Sequence, residues 1–522
     1  MVEAWIASVG PPLLATLLVS VVAESLLEPA PRLRARAPGA WAMHFGVCVI
    51  FFAIELALFR RPWFAATLTL ANLLVLILIS NAKFYSLREP FIYPDFEYLT
   101  DALRHPRLYL PFLGPGRAAA GLGAFLVSVY FGMTLEGSLI ALLPAHVFTL
   151  GLVALFACGT AMVGIGASCN LPLSLRPADD LRRLGLITSL WRYMVAERTL
   201  PDLAGRPSAF SVQAPRSGAT LPDLIVVQSE SFFDVRRWFP SIDPGILAEF
   251  DAVRASAVAH GRLRVDAWGA NTVRTEFAFL SGLDSEVLGV HQFNPYRKVA
   301  LAGIPTIAGA LRQLGYRTVC IHPYSAGFYG RDRIFPVLGI DEFIDIDSFA
   351  GALRQGPFVA DMAVADKVRA TLDGATQPMF VFAITMENHG PLHLENVPSQ
   401  EAAQLFNTIP APGYGELAPY VRHLANASRM AGSLRDHLHA STRPGWLCFY
   451  GDHVPIMPVA YRTLGAPDGD TDYLVWGNQR QGEHVPAIDI AICELGSLLL
   501  RLAGLSADDS IAQRRIMAGR TS

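Results

Sequence analysis

The first third of the chain is dominated by long stretches of apolar residues. A helix needs about 20 residues to cross the hydrocarbon core of a membrane, and five stretches approach that length. They cover residues 11–28, 41–59, 63–82, 118–135 and 147–168. The third stretch carries no charged side chain, and the fifth lies in a run without Asp, Glu, Lys or Arg. The pattern predicts about five transmembrane helices, with four as the alternative count.

From residue 222 onward the pattern changes to short apolar runs separated by amphipathic stretches. The strand-like runs are Leu224–Gln228, Thr318–His322, Met379–Thr385 and Trp446–Tyr450. Strands that alternate with helical stretches predict a mostly parallel sheet with helices on its faces. We therefore expect a transmembrane domain at 1–172, a linker at 173–221 and an α/β domain at 222–522.

Composition and charge narrow the function classes. The mean hydropathy is +0.34, and only 10 of the 42 Lys and Arg residues precede residue 173. The net charge of −3 and the lack of a basic run argue against a nucleic-acid partner. The arginines beside the first three spans lie in loops on opposite sides, so loop charge leaves the orientation open. The six cysteines form no C-x-x-C zinc motif and no close-spaced framework.

Polar residues follow each of the four predicted strands. Glu230 follows the first strand, His322 ends the second, His389 follows the third, and Asp452 and His453 follow the fourth. In open α/β sheets, ligands bind at the carboxyl ends of the strands. Each residue alone could be a cap or a salt-bridge partner. Together, Glu230, Asp452 and His453 supply oxygen and nitrogen ligands suited to Mn²⁺, Zn²⁺ or Mg²⁺.

Thr272 lies where the loop Gly269-Ala-Asn-Thr opens into an apolar helical pattern. Thr favours helix N-caps, so capping is the simpler explanation of this residue alone. A helix start also offers unpaired N–H groups to an anion. Metal coordination can activate a Thr hydroxyl as a nucleophile, which gives Thr272 a chemical role beside the metal ligands. Arg331, His389 and His322 would then be spare cationic or proton-donating groups for a phosphate.

Four motifs, in this order, resemble the sulfatase/alkaline phosphatase-like superfamily. They are Q-S-E-S-F at 228–232, G-A-N-T…T-E-F at 269–277, N-H-G-P at 388–391 and G-D-H-V-P at 451–455. Within the superfamily they most resemble the membrane-anchored branch of lipoteichoic acid synthases and of phosphoglycerol transferases that decorate periplasmic glucans. The amino-terminal spans followed by R-E-P also fit this branch.

The resemblance implies an α/β catalytic domain outside the cytoplasmic membrane and one divalent metal ion, for which Mn²⁺ is expected. By position, Thr272 becomes the nucleophile, and the metal ligands are Glu230, Thr272, Asp452 and His453. Phosphatidylglycerol would donate glycerol phosphate to Thr272, diacylglycerol would leave, and a hydroxyl of an envelope glycan would accept the group. Five spans with the amino terminus inside would put the catalytic domain on the periplasmic side of the inner membrane.

The implied headgroup pocket contains His389, Arg331, Tyr329 and His322. The lipoteichoic acid synthases have Trp-Asn-Arg where this chain has Tyr329-Gly330-Arg331, so the pocket is altered while its guanidinium remains. The chain also lacks the C-x-P-x-R or S-x-P-x-R sequence that formylglycine formation requires, which argues against a true sulfatase.

Two other functions remain open on the sequence. A phosphoethanolamine transferase acting on lipid A or a glycan would use the same Thr and metal. Such relatives usually carry several disulfides, which six scattered cysteines do not suggest. The third function is that of a non-catalytic envelope protein that kept the fold. The Glu, Thr, Asp and His set argues against it, because a buried cluster of this kind is costly without a metal.

Overall fold

The computed structural model of the protein describes residues 2–98, 115–203, 205–214, 220–408, 415–480 and 485–506. The chain separates into two compact units, Met1–Thr199 and Leu200–Ser522. The first unit is helical, and the second is built around one large sheet. The division falls inside the predicted linker, and the domain limits 1–172, 173–221 and 222–522 stay a prediction.

The first unit contains seven α-helices in its described part. They are α1 Val2–Glu24, α2 Pro38–Phe59, α3 Pro62–Leu87, α4 Pro115–Leu135, α5 Ala145–Ser168, α6 Pro177–Leu184 and α7 Leu186–Ala196. Helices α1, α2, α3 and α5 are long and apolar enough to cross a membrane, which matches the alternative count of four. The other predicted span coincides with α4, several of whose side chains lie outside the described residues. The start predicted at residue 11 was wrong, because α1 runs through Pro11 and Pro12 and membrane helices tolerate proline.

Two carboxylates tie the ends of these helices together. Glu136, which follows α4, accepts hydrogen bonds at 2.8 Å from the backbone N–H groups of both Trp63 and Phe64. These are donors of the first turn of α3, so Glu136 caps that helix. At the end of α1, the buried Glu24 pairs with Arg36 and accepts a hydrogen bond from the Leu186 N–H at 3.0 Å. Both carboxylates therefore have structural partners.

Among its described residues the second unit contains ten short strands, eight of which form one sheet with the order β10-β2-β9-β8-β1-β7-β3-β4. The strands are β1 Asp223–Ser229, β2 Ala259–Arg264, β3 Arg317–Ile321, β4 Glu342–Ile344, β5 Arg354–Gln355, β6 Phe358–Val359, β7 Met379–Ile384, β8 Gly445–Gly451, β9 Thr471–Gly477 and β10 Ile490–Ala491. The four predicted strands are the consecutive neighbours β8, β1, β7 and β3, and they pair in parallel. This confirms the prediction of a mostly parallel sheet.

Helices cover both faces of this sheet. Ile225 and Val227 of β1 belong to one buried apolar cluster, while Leu224 and Val226 belong to a second. Burial on both faces explains why these strands read as continuous apolar runs. The helices are α8 Ala248–Ala255, α9 Thr272–Ser281, α10 Ser285–Leu288, α11 Ile307–Gln313, α12 Arg331–Val337, α13 Asp361–Asp373, α14 Ser399–Leu405, α15 Leu417–Ala440, α16 Pro458–Leu464 and α17 Ile492–Leu502.

Candidate active site

Glu230 and Asp452 leave the sheet side by side because of strand register. Strands β1 and β8 pair with Ser229 opposite Gly451, so the next residue of each strand lies at the same level. One ligand atom each from Glu230, Asp452 and His453 lies within 4.8 Å of the others, and all three residues are buried. We call Glu230, Asp452 and His453 the acidic cluster.

The two loops that carry the acidic cluster touch through their backbones at Gly451. A Cβ atom at this position would lie 1.7 Å from the carbonyl oxygen of Phe232, so only glycine fits. Ser231 completes the turn. Its backbone N–H donates to Asp452 Oδ1 at 2.8 Å, and its hydroxyl donates to Glu230 Oε1 at 2.8 Å.

The electrostatics of the acidic cluster fit a divalent cation. Burial, followed by the charge of Asp452, raises the pKa of Glu230 from its ordinary 4.5 to about 8. Asp452 Oδ2 accepts no hydrogen bond from any residue that the structure describes. A buried carboxylate oxygen without a partner is costly. A cation between the two carboxylates would satisfy that oxygen and remove the repulsion.

The hydrogen bonds of His453 leave one ring nitrogen for a metal. Nδ1 lies 3.1 Å from the carbonyl oxygen of Val454, which can only accept, so Nδ1 carries the proton. Nε2 therefore offers a lone pair, and it lies 3.3 Å from Asp452 Oδ2 and 3.6 Å from Glu230 Oε1. Three of the four predicted ligands, Glu230, Asp452 and His453, therefore lie close together, and oxygen and nitrogen donors of this kind suit several divalent metals.

Thr272 is the first residue of helix α9 rather than its N-cap. The N-cap is Asn271, whose side chain makes no capping hydrogen bond, so the capping explanation of Thr272 is wrong. The Thr272 Oγ1 atom lies 3.5 Å from His453 Nε2. On the same helix, the Thr275 hydroxyl donates to the carbonyl oxygen of Asp452 at 2.8 Å. These contacts hold the start of α9 against the acidic cluster.

Three residues beside the site have left-handed backbone conformations. Ser231, Asn271 and Tyr329 have φ angles of 54°, 65° and 58°, and they are the non-glycine residues with positive φ in the described part of the second unit. Each lies one or two positions from a residue of the predicted site. Such conformations cost about 1–3 kcal/mol each and concentrate at functional sites.

Arg331 is the centre of a second group of buried charges. Its Nε and Nη2 atoms donate to the two carboxylate oxygens of Glu276 at 3.1 and 2.8 Å. Its Nη1 atom lies 3.3 Å from Nε2 of His322, whose Nδ1 lies 3.1 Å from the carbonyl oxygen of Ile384. We call Glu276, Arg331 and His322 the arginine cluster.

These contacts change what was expected of Arg331 and His322. Because a carbonyl oxygen only accepts, Nδ1 of His322 carries the proton and Nε2 accepts from Arg331. Burial, and then the Arg331 charge, holds the pKa of His322 well below its ordinary value. His322 is therefore neutral, and Arg331 is paired with Glu276. The expectation that His322 is a spare positive or proton-donating group was therefore wrong. Arg331 keeps its charge but has a protein partner, and its role in substrate binding stays a prediction.

His389 and Tyr329 also belong to the predicted headgroup pocket. His389 Nδ1 lies 2.7 Å from the carbonyl oxygen of Gly390, which leaves Nε2 as the nitrogen that can exchange a proton. Burial lowers the pKa of His389, and the charge of Asp452 partly opposes this shift. His389 therefore lies in the electrostatic field of the acidic cluster. The Tyr329 ring centre lies 5.3 Å from the guanidinium carbon of Arg331.

A chain of buried ion pairs supports the loop that carries His389. Glu387 Oε1 lies 2.8 Å from Nδ1 of His423, and Nε2 of His423 lies 3.0 Å from Glu395 Oε2. Burial lowers the pKa of His423, but the hydrogen bonds to the two carboxylates outweigh it and raise that pKa above its ordinary value. The imidazolium thus fixes Glu387, two residues before His389.

Comparison with known families agrees with this geometry. The model of the Sulfatase family matches residues 222–505, which is more than half of the chain. The chain belongs to the Sulfatase family. This confirms the resemblance to the sulfatase/alkaline phosphatase-like superfamily, and the matched region begins just before β1 and ends after α17.

Two relatives of this chain come from Rhizobium meliloti. The capsular polysaccharide biosynthesis protein RkpI is 28% identical over 450 residues, which are 82% of this chain and 80% of that protein. A protein named for cyclic beta-1,2-glucan modification is 26% identical over 250 residues, which are 48% of this chain and 38% of that protein.

Solved structures extend the likeness in fold. The lipooligosaccharide phosphoethanolamine transferase EptA from Neisseria meningitidis is 13% identical, with a TM-score of 0.53 over 90% of this chain and 96% of that chain. The Streptococcus pyogenes phosphoglycerol transferase GacH is 22% identical, with a TM-score of 0.47 over 55% of this chain and 76% of that chain. The match to EptA shows a shared fold that includes the apolar helices.

Sequence reasoning missed two residues of this sulfatase-family site. Glu276 was noted only as a letter of the T-E-F motif, yet it holds Arg331 with both carboxylate oxygens. Its position four residues after Thr272 was the available signal, because residues four apart share one face of a helix. Thr385 accepts a hydrogen bond from the Glu230 N–H at 3.0 Å, and no signal in the sequence pointed to it.

Proposed function

We propose that the protein transfers phosphoglycerol from phosphatidylglycerol to an envelope glycan through a covalent phosphoglycerol–Thr272 intermediate. The observation that carries this proposal is the Thr272 hydroxyl, 3.5 Å from Nε2 of His453 at the start of a helix. The motif resemblance supports phosphatidylglycerol as the donor. The relatives named for capsular polysaccharide biosynthesis and for cyclic beta-1,2-glucan modification support a glycan as the acceptor.

The transfer has two balanced half-reactions. The Thr272 oxygen forms a bond to phosphorus while the bond to the diacylglycerol oxygen breaks, and the Thr272 proton ends on diacylglycerol. An acceptor hydroxyl then attacks the same phosphorus, the bond to Thr272 breaks, and the acceptor proton returns to Thr272. His389 Nε2 takes and returns the proton in each half, while its Nδ1 stays on Gly390.

The predicted metal ligands are Glu230, Asp452 and His453, with the Thr272 oxygen as the fourth. A divalent cation held there would lower the pKa of the Thr272 hydroxyl and offset charge on the phosphate. We expect Mn²⁺ from the family resemblance, although Zn²⁺ and Mg²⁺ suit the same donors. Arg331 and Tyr329 would hold the phosphoglycerol headgroup, with His322 orienting Arg331.

We infer a multi-pass protein of the inner membrane with its catalytic domain on the periplasmic side. Helix α4 has 21 residues, and at 1.5 Å per residue it is about 30 Å long, which is enough to cross the hydrocarbon. The bonds of Glu136 to the first turn of α3 put the end of α4 beside the start of α3. This supports five spans, which would put the amino terminus and the catalytic domain on opposite sides of the membrane. The family resemblance supports the outside as the side of the catalytic domain.

Phosphoethanolamine transfer is the second candidate, because EptA shares the fold over most of the chain. Its ammonium headgroup would need an anionic or aromatic partner. Glu276 is a carboxylate near the site, but both of its oxygens are bonded to Arg331. All six cysteines are free, unlike those expected of the disulfide-bonded relatives. These observations favour the glycerol headgroup.

The test uses full-length protein in detergent with Mn²⁺ and either phosphatidylglycerol or phosphatidylethanolamine. Diacylglycerol release is measured, and intact mass is read for a covalent adduct. We expect release from phosphatidylglycerol and an adduct that Thr272→Ala removes. The control Thr371→Ala, whose hydroxyl bonds to Lys367 within its own helix, should keep both. Release from phosphatidylethanolamine alone would replace the donor, and no release from either lipid would reject a lipid donor of this class.

A further inference from the structure

Helix α9 carries both the predicted nucleophile and the carboxylate of the arginine cluster. Thr272 is its first residue, and Glu276 follows four positions later, one turn along the same face. Glu276 is fully buried. Besides Arg331, its carboxylate accepts hydrogen bonds from the Tyr296 hydroxyl and from Gln228 Nε2, the latter at 3.4 Å. One rigid helix thus links the attacking hydroxyl to the guanidinium of the headgroup pocket.

The hydrogen bonds of Arg331 leave a defined part of its guanidinium for a substrate. Arginine has five N–H donors. Two of them donate to Glu276, and one faces the lone pair of His322 Nε2. One N–H on each of Nη1 and Nη2 therefore has no partner among the residues that the structure describes. Their directions are set by Glu276, because a planar guanidinium held by two parallel bonds cannot rotate.

The charges of the arginine cluster balance one another without an added ion. The Glu276 carboxylate balances the Arg331 guanidinium, and His322 is neutral. Replacing Glu276 with an amide would leave a buried guanidinium without its counter-charge, and that guanidinium would turn toward another acceptor. The acidic cluster and a bound phosphate are negative groups at the same end of the sheet. The misplacement would therefore act on the reaction through Arg331.

We propose that Glu276 is a positioning residue, which orients Arg331 relative to Thr272 so that its remaining N–H groups meet the phosphoglycerol of the lipid. Glu276 itself does not touch the substrate. This proposal rests on the proposed function, since Arg331 must bind the transferred group.

A double-mutant cycle tests whether Glu276 acts through Arg331. The full-length variants Glu276→Gln, Arg331→Ala and the double variant are compared with the wild-type protein for diacylglycerol release from phosphatidylglycerol. We expect Glu276→Gln to lower kcat/KM about tenfold or more in the wild-type background, and less than about threefold when Arg331 is already Ala. Bound metal per protein should stay at the wild-type value in all variants. The same substitution at the exposed Glu286 is the control and should change nothing.

Equal losses in both backgrounds, an unchanged rate for Glu276→Gln, or loss of metal would overturn the proposal. If Glu276→Gln does not fold, Glu276→Asp replaces it, because it keeps the charge and shortens the side chain by one methylene.

The cycle is repeated with bis(4-nitrophenyl) phosphate, which has no glycerol. Turnover of this diester without any turnover of phosphatidylglycerol would reject the lipid donor. Additive effects on either substrate would reject the role of Glu276.

Discussion

The acidic cluster and the arginine cluster lie at the same end of one sheet, but they differ in how their buried charges are compensated. In the arginine cluster each charge has a protein partner, and His322 is neutral. In the acidic cluster two carboxylates face each other, the pKa of Glu230 is raised to about 8, and one oxygen of Asp452 has no hydrogen bond among the described residues. The first cluster is balanced as folded, whereas the second would be balanced by a bound cation.

This difference separates a scaffold from a binding site on physical grounds. Breaking a balanced buried pair exposes the remaining partner to an uncompensated desolvation cost. Removing one of two like charges relieves repulsion instead. The same Glu or Asp to amide substitution should therefore have opposite effects on stability in the two clusters, while both reduce activity.

The largest effect is expected for Asp452→Asn. Loss of this ligand should remove bound metal and reduce diacylglycerol release about 10³-fold or more, because metal-ion catalysis supplies several kcal/mol. The metal-free variant should be as stable as the metal-free wild type or more stable. Glu276→Gln should instead lower the free energy of unfolding by about 3 kcal/mol. Thermal unfolding and metal analysis check both, and a metal-replete Asp452→Asn would refute the ligand assignment.

Metal affinity should depend on pH through Glu230. A carboxyl with a pKa near 8 is protonated at neutral pH, so a cation must displace a proton. Affinity for Mn²⁺ should therefore rise as pH increases toward 8 and fall as pH decreases below it. Calorimetric titration in buffers of different ionisation enthalpy measures the proton released. Binding without proton release at neutral pH would contradict the shifted pKa.

Arg331→Lys should have a smaller effect than loss of the metal. Lysine keeps the charge but cannot form two parallel bonds to Glu276 while facing His322. We expect kcat/KM for phosphatidylglycerol to fall about 10-fold to 100-fold with full metal occupancy. Steady-state kinetics with metal analysis check this. A rate equal to that of the wild type would remove Arg331 from the headgroup pocket.

The smallest effect is expected for His423→Asn, and only in part of the pH range. The pKa of His423 is raised in the folded protein, so its stabilisation is present below its unfolded pKa and is lost as pH rises through the folded value. The variant should be about 1–2 kcal/mol less stable than the wild type in mild acid, and the gap should narrow in mild base. A gap that widens with pH would show that the imidazolium is not the stabilising form.

The central strands and their ends could be predicted from the sequence, because both are visible in the local pattern of apolar and polar residues. Each apolar run of the central sheet ends at a polar residue, and parallel pairing then brings Glu230 and Asp452 together. Periodicity could not foresee that α1 continues through two prolines, since the tolerance comes from the membrane environment.

The site was harder to predict than the fold, because its partnerships join distant parts of the chain. Glu276 and Arg331 are 55 positions apart, and their ion pair depends on how the fold brings α9 to the start of α12. Burial, and then the charge of Arg331, keeps His322 neutral. In the sequence Arg331, His322 and Glu276 are three separate ionisable residues, whereas in the fold they form one cluster whose charges sum to zero.

The contact at Gly451 has a consequence for engineering. The Phe232 carbonyl oxygen occupies the space that a Cβ atom of residue 451 would need. The two loops of the acidic cluster can therefore lie this close together only because residue 451 is glycine. Selection for a different metal could exchange the donor groups of Glu230, Asp452 or His453 without moving the backbone. It could not widen the loops by altering residue 451 without parting the two strands. The size of any cation that the acidic cluster holds would therefore be limited by the backbone, and a library built to change it should vary the strand spacing.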